Sequence, residues 1–148
     1  MKTALWAVIF LCLLAACIMD CKTCMVYNVV WWISGAAALI LLVLNGRQIP
    51  PETVFWLGAF AALQEILFSR MYGKADCHGF CVCAAAEASL GIGPAGFLGH
   101  MLLAFGLLAV VQAFRRNIGR DGNLKRPVPF LPYITLAFWV LLWYYNSC

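Results

Sequence analysis

The apolar runs of this chain are too long and too numerous for a soluble fold. A helix needs about 20 mostly apolar residues to cross a bilayer, and the candidate spans lie at about 3–19, 27–45, 53–69, 79–93, 97–114 and 128–146. Charged residues make up only 11% of the sequence, although a water-soluble domain carries about 25%. We therefore predict an all-α, polytopic membrane protein, with six transmembrane helices in a single domain over residues 1–148.

The basic residues predict how these spans are oriented. Eight of the ten Lys and Arg residues fall in the first, third and fifth connections. They are Lys22, Arg70, Lys74, Arg115, Arg116, Arg120, Lys125 and Arg126. Because cytoplasmic loops are enriched in Lys and Arg, we expect these connections in the cytoplasm and both termini outside a plasma (inner) membrane. The lipid bilayer is the expected partner. The net charge of +4 without a basic stripe predicts no nucleic-acid partner.

The first span has a second interpretation. Leu14-Ala15-Ala16-Cys17 follows the pattern of a bacterial lipoprotein signal, in which small residues precede a Cys. Cleavage there would remove the first span and acylate Cys17. A lipid anchor would add little to a chain with five further spans, so we expect the first span to be retained.

Two of the six acidic residues fall on the predicted cytoplasmic side, next to spans. Asp20 ends the first span, and Asp76 immediately precedes the fourth. Two neighbouring carboxyl groups cannot both ionise easily, so one can act as a base towards water while its protonated partner polarises a carbonyl. This is the chemistry of aspartic peptide hydrolysis. In the other interpretation, each Asp merely pairs with Lys22 or Lys74, and spacing alone slightly favours it.

The remaining acidic residues have ordinary explanations. Glu52 and Asp121 lie in polar connections, where we expect them to be solvated. Glu65 and Glu87 fall within apolar spans, and groups that ionise at membrane depth normally face a bundle interior. We expect both to be buried, neutral and hydrogen-bonded, with Gln64, Ser89 or His100 as partners. An ion route through them is the alternative, but no internal repeat supports a transporter.

Three segments, which we call landmarks, resemble a known family. The first landmark, Asp20-Cys21-Lys22-Thr23-Cys24-Met25-Val26-Tyr27-Asn28, resembles the segment that follows the first catalytic Asp of prepilin peptidases, which ends in Ile-Pro-Asn. Asn28 matches, and Tyr27 replaces the usual Pro. The second landmark, Tyr72-Gly73-Lys74-Ala75-Asp76, is similar to the family's Gly-x-Gly-Asp motif. Ala75 stands in place of the second Gly, and His78 falls where a Lys often follows.

The third landmark, Pro127-Val128-Pro129-Phe130-Leu131-Pro132-Tyr133, is similar to the family's Ile-Pro-Phe-Gly-Pro-Phe segment, with Pro129, Phe130 and Pro132 as the matching positions. The resemblance covers nearly the whole chain and is to the minimal six-helix form of preflagellin and tight-adherence pilus peptidases. It implies an aspartic endopeptidase that needs no cofactor, with Asp20 and Asp76 as the catalytic pair. It also implies a substrate class, namely type IV pilin-like precursors whose short basic leader is removed by cleavage after a Gly at the cytoplasmic face.

The cysteines leave two alternatives open. Cys21-x-x-Cys24 and Cys77-His78-x-x-Cys81-x-Cys83 carry zinc-ligand residue types near the cytoplasmic face. Their spacing matches known zinc patterns poorly, so we predict no metal. Cys21 and Cys24 are also typical of a membrane thiol oxidoreductase, although the charge bias turns this pair towards the cytoplasm. A catalytically inactive member of the peptidase family is the other alternative.

Overall fold

The computed structural model of the chain describes residues 1–118 and 128–147. The predictions for Arg120, Asp121, Lys125, Arg126 and Pro127 lie outside the described residues, as does the side chain of Arg116.

The described residues form six α-helices and no strand, so the all-α prediction is confirmed. The helices are α1 (Lys2–Thr23), α2 (Asn28–Asn45), α3 (Pro51–Ile66), α4 (Lys74–Ala88), α5 (Pro94–Ile118) and α6 (Leu131–Ser147). Short 3-10 turns follow α2 and α3, at Gly46–Gln48 and Phe68–Arg70. Within the described ranges, three stretches are long and apolar enough to cross a membrane: Lys2–Thr23, Asn28–Gln48 and Pro94–Arg115. Six membrane spans remain a prediction.

The ends of the helices follow local backbone chemistry. Pro51 and Pro94 each occupy the first position of a helix, where the missing N–H of proline leaves no bond unmade. The C-terminus of α1 is closed by Cys24 in the left-handed conformation, with φ of 52°. Gly73, with φ of 108°, precedes α4. Helix α4 therefore begins before the predicted span 79–93, and Asp76 lies inside this helix instead of ahead of it.

Two sets of contacts define the two ends of the bundle. At one end of the bundle, Lys2 Nζ donates to Asn45 Oδ1, and Asn45 Nδ2 donates to the Ser89 carbonyl at 2.9 Å. At the other end, Asp20 Oδ2 accepts a hydrogen bond from the Leu131 N–H at 3.0 Å. We call the latter the aspartate end. It contains the ends of α1 and α3 and the beginnings of α2, α4 and α6.

Helix α4 is the most enclosed element of the bundle. It packs against α2, α3, α5 and α6, and the small side chains of Ala84, Ala85 and Ala86 are all buried. Small residues let helix backbones approach closely, which is how membrane helices commonly associate. The outer helices instead expose large apolar side chains, such as Leu11, Trp32 and Val43. Such an apolar outer surface is suited to lipid.

The first helix contributes to the core of the bundle. Ile9, Leu13 and Ala16 are completely buried, and Cys17 Sγ lies 3.1 Å from Thr135 Oγ1 on α6. Retention of the first span stays a prediction.

Candidate functional site

Asp20 lies in the last turn of α1, and its side chain is only 8% exposed. Its Oδ2 accepts the N–H of Leu131, the first residue of α6. The first N–H groups of a helix have no partner within the helix, and the helix dipole favours negative charge at this end. Asp20 is therefore held by the start of α6. The expected alternative partner, Lys22, is exposed, and the described residues contain no ion pair between these two side chains.

Asp76 lies in the first turn of α4 and is partly buried. It lies ahead of the predicted fourth span and outside the three long apolar helices. Burial, and then the negative charge of Asp20, raise the pKa of Asp76 to about 7. The two carboxyl groups therefore differ in environment, since one contacts a helix N-terminus and the other is poised to hold a proton near neutral pH. Acid–base catalysis by two carboxyl groups requires such different environments, because one group must be ionised while the other is protonated.

Gly73 and Ala75 occupy the two glycine positions of the Gly-x-Gly-Asp motif. Gly73 has φ of 108° and ψ of 152°, a conformation that is essentially restricted to glycine. A Cβ on Gly73 would lie 3.7 Å from Asp76 Oδ2, an ordinary van der Waals distance, so backbone conformation is what requires this glycine. Among the described non-glycine residues only Cys24 has positive φ. Ala75 therefore adopts an ordinary helical conformation, and its departure from the motif carries no backbone strain.

Tyr27 occupies the position where the family has Pro. Its φ of −67° and ψ of 135° are values that proline also adopts. The residue that follows, Asn28, is exposed and begins α2. The backbone at Tyr27 therefore has the conformation that a Pro would impose, although the residue is not a Pro.

The third landmark packs against both of the others. Phe130 is buried, and its ring centroid lies 5.7 Å from that of Tyr72 in the second landmark. The rings of Phe80 and Phe105 complete this aromatic cluster at 5.9 and 5.0 Å from Phe130. The contact between Asp20 and Leu131 connects the third landmark to the first. All three landmarks therefore meet at the aspartate end.

Pro129 and Pro132 flank this contact. Pro129 is partly buried just before α6. Pro132 is the second residue of α6, in the first turn, where a missing N–H is tolerated. Both prolines therefore restrict the backbone where the chain enters α6, next to the residue that Asp20 contacts.

Gly79 is a site residue that the sequence analysis missed. A Cβ at this position would lie only 2.8 Å from Leu131 Cδ2 and 3.5 Å from Trp31 Cη2. The small residue lets α4 approach α6 one turn after Asp76. Its signal in the sequence is a lone glycine in an apolar run, which usually indicates a close approach or a weak helix.

A cleft of about 1,020 Å³ opens at the aspartate end. It is lined by Ile18, Met19, Lys22, Thr23, Cys24, Met25, Val26, Tyr27, Asn28, Trp31, Glu65, Lys74, Ala75 and His78. Five of the predicted supporting residues therefore share one cavity: Lys22, Asn28, Lys74, Ala75 and His78. Asp20 and Asp76 are not among the lining residues. Both are neighbours in the chain of lining residues, since Asp20 follows Met19 and Asp76 follows Ala75.

One residue at this cleft corrects the prediction from the sequence. Glu65 was expected to be buried and neutral, but its side chain is exposed and lines the cleft, although the neighbouring Gln64 is completely buried. Trp31, another lining residue, is only 7% exposed, because it packs against α4, with its indole 6.2 Å from the His78 ring.

The cysteines do not assemble into an evident centre. Cys21 and Cys24 are exposed, Cys77 and Cys83 are buried, and every cysteine in the described ranges is a free thiol. Within residues 1–118 and 128–147, no group of three or more His, Cys, Asp and Glu side chains is arranged to hold a metal ion.

Comparison with family models, with curated proteins and with solved structures finds no match to this chain. The function proposed below therefore depends on the residues and contacts described above.

Proposed function

We propose that this chain is a membrane aspartic endopeptidase of the prepilin-peptidase type, in which Asp20 and Asp76 hydrolyse a peptide bond at the cytoplasmic face. The contact between Asp20 Oδ2 and the Leu131 N–H, at 3.0 Å, carries this proposal. It joins the first landmark to the third, although the two are far apart in the sequence. The influence of Asp20 on the pKa of Asp76 connects the second landmark to the same place.

The environments of the two carboxyl groups suggest their roles. Asp20 faces the N-terminus of α6, where negative charge is favoured, so it is the ionised partner and the base. Asp76, with a pKa raised to about 7, is the protonated partner. Asp20 takes a proton from a water molecule, and the resulting hydroxide attacks the substrate carbonyl carbon. Asp76 donates its proton to the carbonyl oxygen, which gives a tetrahedral diol. As the C–N bond then breaks, the leaving amine takes the proton held by Asp20, and a hydroxyl group of the diol returns a proton to Asp76.

The cleft is the proposed site of the substrate segment that approaches the carboxyl groups. A precursor with a basic leader and an apolar helix would keep the helix in lipid and the leader in the cytoplasm. Its scissile bond would then lie at the interface, level with the aspartate end. Glu65 is the one acidic side chain among the lining residues of this cleft, so we assign it to the basic leader.

Cleavage of a precursor by the purified chain in liposomes tests this function. The probe is a pilin-like precursor whose basic leader ends in Gly, and leader removal is followed by its mobility shift. Asp20→Asn keeps an oxygen acceptor for the Leu131 N–H but lacks the charge, and Asp76→Asn cannot ionise. Both should abolish cleavage in a folded protein. Glu52→Gln is the matched control, because Glu52 is an exposed carboxylate on the first turn of α3, at the opposite end of the bundle.

The variants also separate catalysis from capping. If Asp20 only caps α6, Asp20→Asn should cleave at the wild-type rate, and the proposed function would then be wrong. Wild-type cleavage by Asp76→Asn would overturn it equally.

A further inference from the structure

A buried polar chain connects the last turn of α4, through α5, to the first turn of α6. Glu87 on α4 and His100 on α5 are 0% and 1% exposed, and Glu87 Oε1 lies 2.8 Å from His100 Nδ1. The other ring nitrogen, His100 Nε2, lies 2.9 Å from the carbonyl oxygen of Ile134 on α6. Three helices are therefore connected by one carboxyl group and one imidazole. This pair was expected from the sequence only as one of three possible partnerships for Glu87.

The Ile134 carbonyl determines which ring nitrogen of His100 donates a hydrogen bond to α6. A carbonyl oxygen only accepts hydrogen bonds, so His100 Nε2 must carry a proton. Nδ1 then either accepts a proton from a neutral Glu87 or donates one to the Glu87 carboxylate. In both arrangements the Nε2–H points at Ile134, so the orientation of this donor does not depend on where the shared proton lies.

Ile134 lies one helical turn after Leu131, the residue whose N–H is held by Asp20. The first turn of α6 is therefore fixed from two sides, by Asp20 on α1 at its N–H and by His100 on α5 at its carbonyl. Leu131 and Ile134 are both completely buried. In such apolar surroundings water does not compete for either hydrogen bond, which makes their geometry well defined.

Stability alone does not account for this pair. No described residue donates a hydrogen bond to Glu87 Oε2, which is fully buried. A buried pair with an unsatisfied oxygen is often no more stable than well-packed apolar residues of similar volume. Around His100 the rings of Phe80 and Phe138, with centroids at 5.4 and 5.9 Å, already offer an apolar environment.

We propose that Glu87 and His100 are positioning residues, which hold the first turn of α6 so that the Leu131 N–H fixes the Asp20 carboxylate. This inference rests on the proposed function, because it concerns the orientation of the proposed base. Neither residue contacts the substrate cleft. Their loss should therefore lower kcat and leave KM nearly unchanged.

The decisive variant replaces the pair with apolar residues, as Glu87→Leu combined with His100→Phe. The Phe keeps the ring packing, and the double change leaves no orphaned buried charge, so the protein should fold as well as the wild type. Misplacing a catalytic group by about 1 Å can cost ~100-fold in rate, and we expect kcat to fall by about 10- to 100-fold. Glu87→Leu combined with His100→Gln returns an N–H donor near Ile134 and should recover much of kcat.

Asn45→Leu is the matched control. Asn45 is also a buried side chain whose N–H donates to a backbone carbonyl, that of Ser89, at 2.9 Å. Ser89 lies two residues after Glu87, so this variant perturbs the same end of α4 but leaves the contact between His100 and α6 in place. This variant should lower thermal stability and leave kcat of the folded protein within about 2-fold of wild type, since it does not touch the placement of α6.

A second measurement needs no catalysis. In selectively ¹⁵N-labelled protein, the Leu131 amide should lose protection from hydrogen exchange in the apolar double variant and keep it in Asn45→Leu. An unchanged Leu131 amide, or an unchanged kcat, in the double variant overturns the inference. If the wild type cleaves no precursor, the proposed function fails. The hydrogen exchange of the Leu131 amide then decides separately whether Glu87 and His100 hold the first turn of α6.

Discussion

The carboxylate of Asp20 caps the N-terminus of α6, accepting the Leu131 N–H at 3.0 Å from a different helix. One side chain therefore connects the end of the first helix to the beginning of the last. The same carboxylate acts on Asp76 through its charge. The hydrogen bond to α6 and the charge that raises the pKa of Asp76 therefore belong to one carboxylate, and variants that remove the charge alone or the hydrogen bond as well can separate the two effects.

The capping role predicts that Asp20→Ala is less stable than Asp20→Asn. Alanine removes the acceptor and leaves a buried N–H without a partner, which typically costs about 1–2 kcal/mol at a helix N-terminus. Asparagine keeps an oxygen acceptor at the same position. Thermal unfolding of both purified variants in detergent at pH 7 should therefore give a lower midpoint for Asp20→Ala. Equal midpoints would mean that this hydrogen bond does not stabilise the fold.

The raised pKa of Asp76 predicts a stability change that depends on pH. In the unfolded chain Asp76 loses its proton near its ordinary pKa of 3.8, whereas in the fold it keeps the proton up to about pH 7. Ionisation of Asp76 therefore lowers the free energy of unfolding. This loss is absent below pH 3.8, grows between pH 3.8 and 7, and is complete above pH 7. Asp76→Asn should raise the unfolding midpoint at pH 8 and have little effect at pH 4. A gain of equal size at both pH values would contradict the raised pKa.

The helical fold could be predicted because its signal is local. Each apolar run acts within one helix, and each of the six predicted spans overlaps one of the six helices of the described residues. The boundaries were less accurate. Helix α4 begins at Lys74, after Gly73 in a positive-φ conformation that is essentially restricted to glycine, and hydropathy carries no information on that angle.

The site was predictable only as a set of candidate residues. The sequence singled out Asp20 and Asp76, but not the helix start that holds Asp20, because that contact joins residues distant in the chain. Glu65 was misplaced for a related reason. A carboxylate in an apolar run is expected to be buried, but in the last turn of α3 the buried position is Gln64, while Glu65 lines the cleft. Gly79 was missed because its importance comes from Leu131 on another helix.

We predict different outcomes for substitutions at positions 73 and 75 of the second landmark. Gly73→Ala forces a side chain into a conformation that only glycine adopts readily, and this should cost about 1–3 kcal/mol. Because Gly73 directly precedes α4, the strain should also displace Asp76 and reduce cleavage. Ala75→Gly restores the family's motif but introduces glycine into a helix, at a cost of roughly 0.5–1 kcal/mol. It should not increase cleavage. Denaturation and cleavage assays on both variants check this, and a more active Ala75→Gly would show that Ala75 impairs the site.

The exposed carboxylate of Glu65 predicts how the cleft distinguishes precursors. Its other charged lining residues are Lys22 and Lys74, so Glu65 is the side chain that can attract a basic leader. Glu65→Lys should raise KM for a precursor with a basic leader by about 10-fold, since a charge pair near a protein surface contributes on the order of 1 kcal/mol and the reversal adds repulsion. The kcat value should change little, because Glu65 is not one of the proposed catalytic carboxyl groups. A precursor whose leader lysines are replaced by glutamine should lose this difference between wild type and variant. If Glu65→Lys instead lowers kcat for both precursors equally, Glu65 acts on the carboxyl pair and not on the leader.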